Sequence, residues 1–181
     1  MELKTGLLIW WILMMIQAMT CRPAKECNFI ERINYTKFRM EALLNQFLSA
    51  NENDIRPWPK PISELHLKNL SHKEKMQKAQ CGLHFMQKAL QLIQQHQSEL
   101  HDSMNPIHEE IRKTVDFVLE RTKLCVAEHI GHCTNIPEPD FQFKEIYKRK
   151  QWGRTVLETS LDFLDELVKI PNHASSRRLK P

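Results

Sequence analysis

The chain has 181 residues, of which 41% are hydrophobic and 27% are charged, and it contains only 4 glycines. This composition can build a packed core, and it excludes an intrinsically disordered or fibrous protein. The formal net charge of +4 favours weak attraction to acidic surfaces, but it does not require a nucleic-acid partner, and we expect none.

The amino-terminal segment has the features of a cleaved secretory signal. A single lysine precedes an apolar run over residues 6–16, and small or polar residues follow before Cys21. The run has about ten apolar residues, whereas a membrane-spanning helix needs about twenty. We therefore predict a signal peptide over residues 1–20, cut near Ala18 or Thr20, and a secreted, extracellular product. An uncleaved signal anchor is the less favoured alternative.

The remainder of the chain has the length of one domain. We expect a helical domain over residues 21–174 and a solvated basic tail over residues 175–181, which carries Arg177, Arg178 and Lys180. Because basic side chains in a run attract polyanions, the tail is a candidate site for heparan sulfate.

Apolar residues recur at intervals of three and four along four long segments, which predicts an all-α fold. An S-x-x-E capping box at Ser71 and Glu74 marks the start of the second helix, and Pro106 suits the first position of the third. Asp140 is the expected cap of the last helix, and Gly153 is a candidate break within it. The predicted helices cover about residues 29–49, 72–100, 106–127 and 140–170. We expect a bundle of about four to six helices in up-down order with long crossover loops.

The apolar stripes predict which side chains form the core. On the first helix they are Ile30, Ile33, Met40, Leu44, Phe47 and Leu48, and on the second they are Met76, Ala79, Leu83, Met86, Leu90 and Ile93. The second stripe has the heptad-like spacing of a helix that packs against neighbouring helices.

Two connections are expected to be long and irregular. Residues 51–61 (NENDIRPWPKP) contain three prolines, which remove backbone donors and keep the preceding residues out of helical space. A short helical turn within residues 63–70 is expected to follow. Residues 129–139 (HIGHCTNIPEP) form the second long connection. We expect a monomer or a homodimer.

Cysteine usage carries the sharpest information, because the cysteines of a secreted protein normally pair. Cys27, Cys81, Cys125 and Cys133 allow three connectivities, and their spacing alone does not choose among them. The predicted helices place Cys27 at the start of the first helix and Cys125 at the end of the third, so these ends would be able to meet. Cys21, at the cleavage junction, is the odd cysteine.

Recognised catalytic motifs are lacking in the sequence, which has no glycine-rich phosphate loop, G-x-S-x-G elbow or H-E-x-x-H helix. We therefore expect neither an enzyme nor a cofactor. The cluster of Cys125, His129, His132 and Cys133 contains ligand types that suit zinc, but in an oxidising compartment disulfides are the favoured use of the cysteines. A zinc-dependent secreted enzyme and a small carrier protein remain as distant alternatives.

Two N-x-S/T sequons fit a secreted protein, and we predict glycosylation at Asn34 and Asn69. A glycan at Asn34 requires this side of the first helix to face solvent. Asn69 lies just outside the predicted capping box, where a glycan is sterically acceptable.

The combined pattern resembles the class II helical cytokines of the interleukin-10 family over about residues 27–170. SANENDIRPW is similar to the family's connection after the first helix, with Asp54-Ile55-Arg56 as its Asp-Ile-Arg element. AQCGLHFMQKALQLI resembles the family's cysteine-led helix, and RKTVDFVLERTKLC followed by HIGHC resembles its helix with one cysteine at the end and another in the next loop. VLETSLDFLDELV resembles the closing helix, although Ser160 stands where the family usually has glutamate.

The resemblance implies a pairing of Cys27 with Cys125 and of Cys81 with Cys133. It also implies a cytokine that binds two different class II receptor chains and drives a JAK-STAT response in immune or epithelial defence. In such cytokines the first helix, the following loop and the last helix form the main receptor face. The receptor-contact candidates carried over are Asp54, Arg56, Glu158 and Asp162. Trp58 is the candidate aromatic anchor, and the alternative is that it caps the end of the bundle.

A second resemblance is to the leukaemia inhibitory factor and ciliary neurotrophic factor group. CRPAKEC resembles the paired amino-terminal cysteines of the former, and FKEIYKRKQWGRTVL resembles the last helix of both. This alternative would pair Cys21 with Cys133, leave Cys81 free, and imply the shared signal-transducing receptor of the interleukin-6 class. An antiviral interferon is a third relative by shape, although its typical C-A-W element is lacking.

Disulfide mapping of the secreted protein by non-reducing digestion and mass spectrometry separates these hypotheses. We expect Cys27 joined to Cys125 and Cys81 joined to Cys133. A bond between Cys21 and Cys133 with free Cys81 would instead favour the leukaemia inhibitory factor group. Free Cys125 and Cys133 would restore the zinc alternative.

Overall fold

The computed structural model describes residues 27–51, 54–140 and 143–170, and within these ranges every regular element is helical. The predicted signal peptide and basic tail lie outside the described residues. The helices are α1 (Phe29–Asn51), α2 (His72–Leu100), α3 (Pro106–Lys113), α4 (Glu120–Ile130) and α5 (Ile146–Val168), with a 3₁₀ turn at Ser63–Leu65. A π-helical segment, Thr114–Leu119, joins α3 to α4, and we call the continuous helix over residues 106–130 the third rod. The predicted all-α class is confirmed.

The predicted starts of two helices are confirmed in atomic detail. Ser71 Oγ accepts from the Glu74 backbone N–H at 3.4 Å, and Glu74 Oε2 accepts from the Ser71 N–H at 2.8 Å, which completes the capping box of α2. Asn105 Oδ1 accepts from the Ile107 N–H at 3.1 Å at the start of α3, where Pro106 occupies the first turn.

Other predicted boundaries differ from the structure, and tertiary contacts explain the differences. The last helix begins at Ile146 rather than at Asp140. The Phe143 carbonyl accepts from Arg149 Nε at 2.9 Å, so the chain before Ile146 is held by a side chain of the helix instead of joining it. Gly153 does not interrupt α5, and it is buried within the helix.

The third rod also continues beyond its predicted end, as far as Ile130. His129 Nδ1 bonds to the Cys125 carbonyl at 2.8 Å, and its ring packs on Phe29 with centroids 5.6 Å apart. These contacts stabilise a last helical turn that sequence periodicity did not reveal.

The relative directions of the helices follow from which ends of two neighbouring helices contact each other. α1 runs antiparallel to both α5 and the third rod, because residues near one end of α1 contact residues near the opposite end of each partner. The contacts are Phe29 with His129, Arg39 with Glu110, Lys37 with Asp165, and Phe47 with Gly153. α2 is antiparallel to α5 as well, since Lys75 pairs with Glu166 and Glu99 pairs with Arg149.

The order of the four long helices is therefore up, up, down, down, rather than a plain up-down alternation. We call the end that holds Asn51, Leu100 and the starts of α3 and α5 the upper end, and the opposite end the lower end. The connections over residues 52–71 and 131–145 must each travel the length of the bundle, while residues 101–105 make a short link.

The core lies where the apolar stripes of the four long helices meet. Its fully buried members include Ile33, Met40, Leu43, Phe47, Leu83, Met86, Leu90, Ile93, Ile111, Val156, Leu157, Phe163 and Leu164. Ile30, which the sequence placed in the stripe of α1, is 40% exposed and lies on the outer side of that helix.

Two disulfides cross-link the fold, and both lie in its lower half. Cys27 is bonded to Cys125 and Cys81 to Cys133, with Cα–Cα distances of 5.6 Å and 5.0 Å. This is the pairing that the interleukin-10 resemblance implies. In the chain-entropy model, cross-links of these sequence separations stabilise the fold by about 4 to 5 kcal/mol each.

Close packing at Gly82 predicts a sharp effect of one added methyl group. A Cβ at this position would lie 2.6 Å from Cε2 of the Phe163 ring, which is 1% exposed and has little room to move. We expect Gly82→Ala to lower the free energy of unfolding by about 1–3 kcal/mol, measured by urea denaturation. Gln77→Ala, at an exposed position of the same helix, is the matched control, and equal stability of the two variants would contradict the packing.

Candidate functional site

The proline-rich connection is fastened to α5 by one arginine. Arg154 Nε donates to Glu158 Oε1 at 2.7 Å, and Arg154 Nη1 donates to the Ile55 carbonyl. Ile55 itself is buried at 3% exposure. Because Ile55 lies between Asp54 and Arg56 in sequence, this clamp holds both exposed loop residues beside Glu158.

Trp58 is a second attachment point of the same connection. Its backbone N–H donates to Thr155 Oγ1 at 2.7 Å, and its ring packs against Phe143 with centroids 4.6 Å apart. The ring is half-buried against the core. The structure thus gives Trp58 a packing contact at the meeting point of the two long connections, in line with the alternative that it caps the bundle, and its role as a receptor anchor stays a prediction.

The candidate receptor contacts fall on one side of the molecule, which we call the α1–α5 face. Asp54, Arg56 and Asp162 are exposed, and Glu158 is half-buried in its ion pair. Glu158 and Asp162 are four residues apart on α5, so they share one side of that helix. The structure therefore brings together the loop and α5 candidates that the resemblance supplied.

An ion-pair network joins α1 to α5 along this face. Lys37 Nζ lies 2.7 Å from Asp165 Oδ1 and 3.7 Å from Glu41 Oε1. The hydrogen bond to Asp165 raises the pKa of Lys37 above its usual range. The face as a whole is acidic although the protein is basic, because carboxylates outnumber basic groups there. The carboxylates are those of Glu41, Asp54, Glu158, Asp162 and Asp165, and the basic groups are those of Lys37, Arg56 and Arg154.

Phe38 is a candidate binding residue that the apolar pattern of the sequence does not reveal. Its side chain is 64% exposed, near the middle of the outer side of α1. Phe38 lies outside the apolar stripe of the helix. Because the stripe identifies only side chains that face the core, it does not identify a large apolar side chain on the outer side. The available signal was an aromatic residue on the polar side of a helix, one residue after Lys37 and three before Glu41.

Both predicted glycosylation sites are sterically open. Asn34 is exposed on α1, one turn before Phe38, so a glycan at Asn34 would compete with a receptor for this patch. Asn69 is exposed as well, and its φ of 65° places it in the left-handed region just before the α2 capping box. Glycosylation of either residue stays a prediction.

The cysteines of the zinc alternative are engaged elsewhere, since Cys125 and Cys133 belong to two different disulfides. Among the described residues, no group of three histidine, cysteine or acidic side chains is placed to hold a metal ion. In the same part of the chain, no helix is long and apolar enough to cross a membrane.

Comparisons with known proteins supply no relative from which a function could be inferred. No protein-family model, curated protein or solved structure matches this chain. The evidence for function is therefore the helix order, the disulfides and the α1–α5 face.

The arginine clamp can be tested directly. We expect Arg154→Ala to free the Ile55 carbonyl and Glu158, lowering the free energy of unfolding by about 1–3 kcal/mol. Amide hydrogen exchange over residues 54–62 should become faster while exchange in the middle of α2 stays slow. Arg121→Ala, which removes an exposed arginine on α4, is the control. Unchanged exchange in the loop would show that Arg154 does not hold it.

Proposed function

We propose that this protein is a secreted helical cytokine of the class II type, similar to the interleukin-10 family. It binds a receptor made of two different chains and triggers JAK-STAT signalling in immune or epithelial defence. The observation that carries this proposal is the up-up-down-down order with two long crossovers, the arrangement of growth hormone and cytokine bundles. Two disulfides support an oxidising, extracellular setting.

The cysteine pairing favours the interleukin-10 type over the leukaemia inhibitory factor group. The latter would leave Cys81 free and bond Cys133 to Cys21, whereas the structure bonds Cys81 to Cys133. Helix order does not separate the two groups, because long crossover connections are a general feature of cytokine bundles. The interleukin-6-class receptor therefore remains the alternative to be tested beside the class II receptors.

The α1–α5 face is the proposed site for the first receptor chain. It combines an exposed aromatic side chain, Phe38, with a surround of charged groups, which is the usual composition of a binding hot spot and its rim. The clamped loop presents Asp54 and Arg56 without the entropy cost of ordering a free loop on binding. Because the face is acidic, it fits a receptor surface with a basic rim.

The test has two stages, of which the first identifies the receptor. The full-length secreted protein is applied to cells that each carry one class II receptor pair or the shared interleukin-6-class receptor, and STAT phosphorylation is measured. A response through a class II pair supports the proposal. A response through the interleukin-6-class receptor alone would replace it with the alternative.

The second stage locates the face by direct binding to the responding receptor chain. We expect Phe38→Ala to cost about 2 kcal/mol, roughly a 30-fold loss of affinity, since exposed aromatic anchors carry much of an interface's energy. Reversal of the exposed Asp162 to lysine, which leaves the Arg154–Glu158 pair intact, should mainly slow association. Met104→Ala, at an 88% exposed site outside the face, and Glu128→Lys, at an exposed site on α4, are the matched controls. Full affinity in all variants would place the receptor site elsewhere.

A further inference from the structure

A polar cleft lies at the upper end of the bundle, away from the α1–α5 face. It has a volume of about 540 Å³, and its walls come from the last turns of α2, the short link and the start of α3. The lining groups that matter are Gln91, Gln94, Gln95, Ser98, His101 and His108. A cleft walled by amides, hydroxyls and imidazoles suits a hydrated ligand with many hydroxyl groups, and it offers little to a lipid or an aromatic molecule.

Positive charge collects at one side of this cleft. Lys150 of α5 and His108 lie close enough to His101 for their charges to lower its pKa, in addition to the larger effect of burial. The opposing charge is Asp102, whose Oδ1 accepts from the Met104 N–H at 2.9 Å. The adjacent Glu99 and Arg149 neutralise one another in an ion pair.

The two imidazoles have unused hydrogen-bonding capacity. His108 Nε2 lies 2.9 Å from the Asp102 carbonyl, which can only accept, so Nε2 donates this hydrogen bond and Nδ1 stays available to a ligand. His101 Nε2 is buried and has no hydrogen-bond partner among the described residues. Leaving a buried polar atom unsatisfied costs about 1–3 kcal/mol, and an anionic oxygen of a ligand would recover this cost once the His101 ring turns toward the cleft.

We propose that the cleft binds an acidic sugar of a sulfated polysaccharide. The glutamine amides and Ser98 receive the sugar hydroxyls, and a sulfate group lies among His101, His108 and Lys150. Binding strengthens as the pH falls, because each imidazole that gains a proton becomes a cationic donor to the anion. This site is separate from the basic tail at residues 175–181, and it does not depend on the proposed receptor function.

The test uses the full secreted chain and a heparin-derived hexasaccharide, with affinity measured by calorimetry at pH 7.4 and pH 6.0. We expect the wild-type protein to bind about three to ten times more tightly at the lower pH, since an anion bound beside an imidazole favours its protonated form. His108→Asn should remove much of this gain, and His101→Asn with His108→Asn should remove nearly all of it. Lys150→Gln should weaken binding at both pH values.

The controls separate the cleft from other sources of binding. Joint substitution of Arg177, Arg178 and Lys180 by glutamine removes the charge of the tail and should leave the pH dependence intact. Binding that disappears with the tail variant, or a pH dependence that survives in the double histidine variant, would overturn the proposal. Equal affinity for the desulfated hexasaccharide would overturn it too. If the His101 variant fails to fold, as judged by circular dichroism, the single His108 and Lys150 variants decide the outcome.

Discussion

The parallel course of α1 and α2 is the constraint on which the rest of the structure depends. Since α1 ends at the upper end and α2 begins at the lower end, residues 52–71 must descend the whole bundle without forming a long helix. Because α1 has 23 residues and an α-helix rises by about 1.5 Å per residue, the connection must span about 35 Å. Its backbone groups would be costly to bury without partners, and the fold must attach it repeatedly.

Buried apolar side chains, and hydrogen bonds from side chains of the helices to loop carbonyls, provide those attachments. The side chains of Ile55, Ile62, Leu65 and Leu67 enter the core at intervals, each no more than 6% exposed. Lys78 Nζ of α2 donates to the Ser63 carbonyl at 2.8 Å and to the His66 carbonyl at 3.2 Å. The second crossover is fastened in the same way along α2, by the disulfide at Cys133 and the ion pair of Glu138 with Lys88. The two crossovers meet at the packing of Trp58 on Phe143.

Much of this could be predicted from the sequence wherever the signal was local. The capping box at Ser71 and the proline at position 106 fixed two helix starts, because these motifs satisfy backbone groups within a few residues. The cap of the last helix was placed five residues too early, at Asp140 instead of Glu145, since the helix start depends on contacts of Phe143 with Arg149 and with the distant Trp58. Arg154 shapes the candidate face, but in the sequence it is one basic residue among several. Its hydrogen bond to the Ile55 carbonyl spans 99 positions, so no local pattern predicts it.

The disulfides lie in one half of the molecule, so the two halves differ in how strongly their helices are held together. Cys27–Cys125 and Cys81–Cys133 bind the lower half covalently, whereas the upper end is closed by weaker contacts such as Asn51 Nδ2 to Gln97 Oε1 at 2.6 Å. Local opening therefore has its lowest cost at the upper end, where the ends of α1 and α2 can separate while the chain stays cross-linked below. The Arg154 clamp and the polar cleft both lie toward that end. The Arg154 clamp thus fixes the candidate receptor loop on the half of the described structure that has no disulfide.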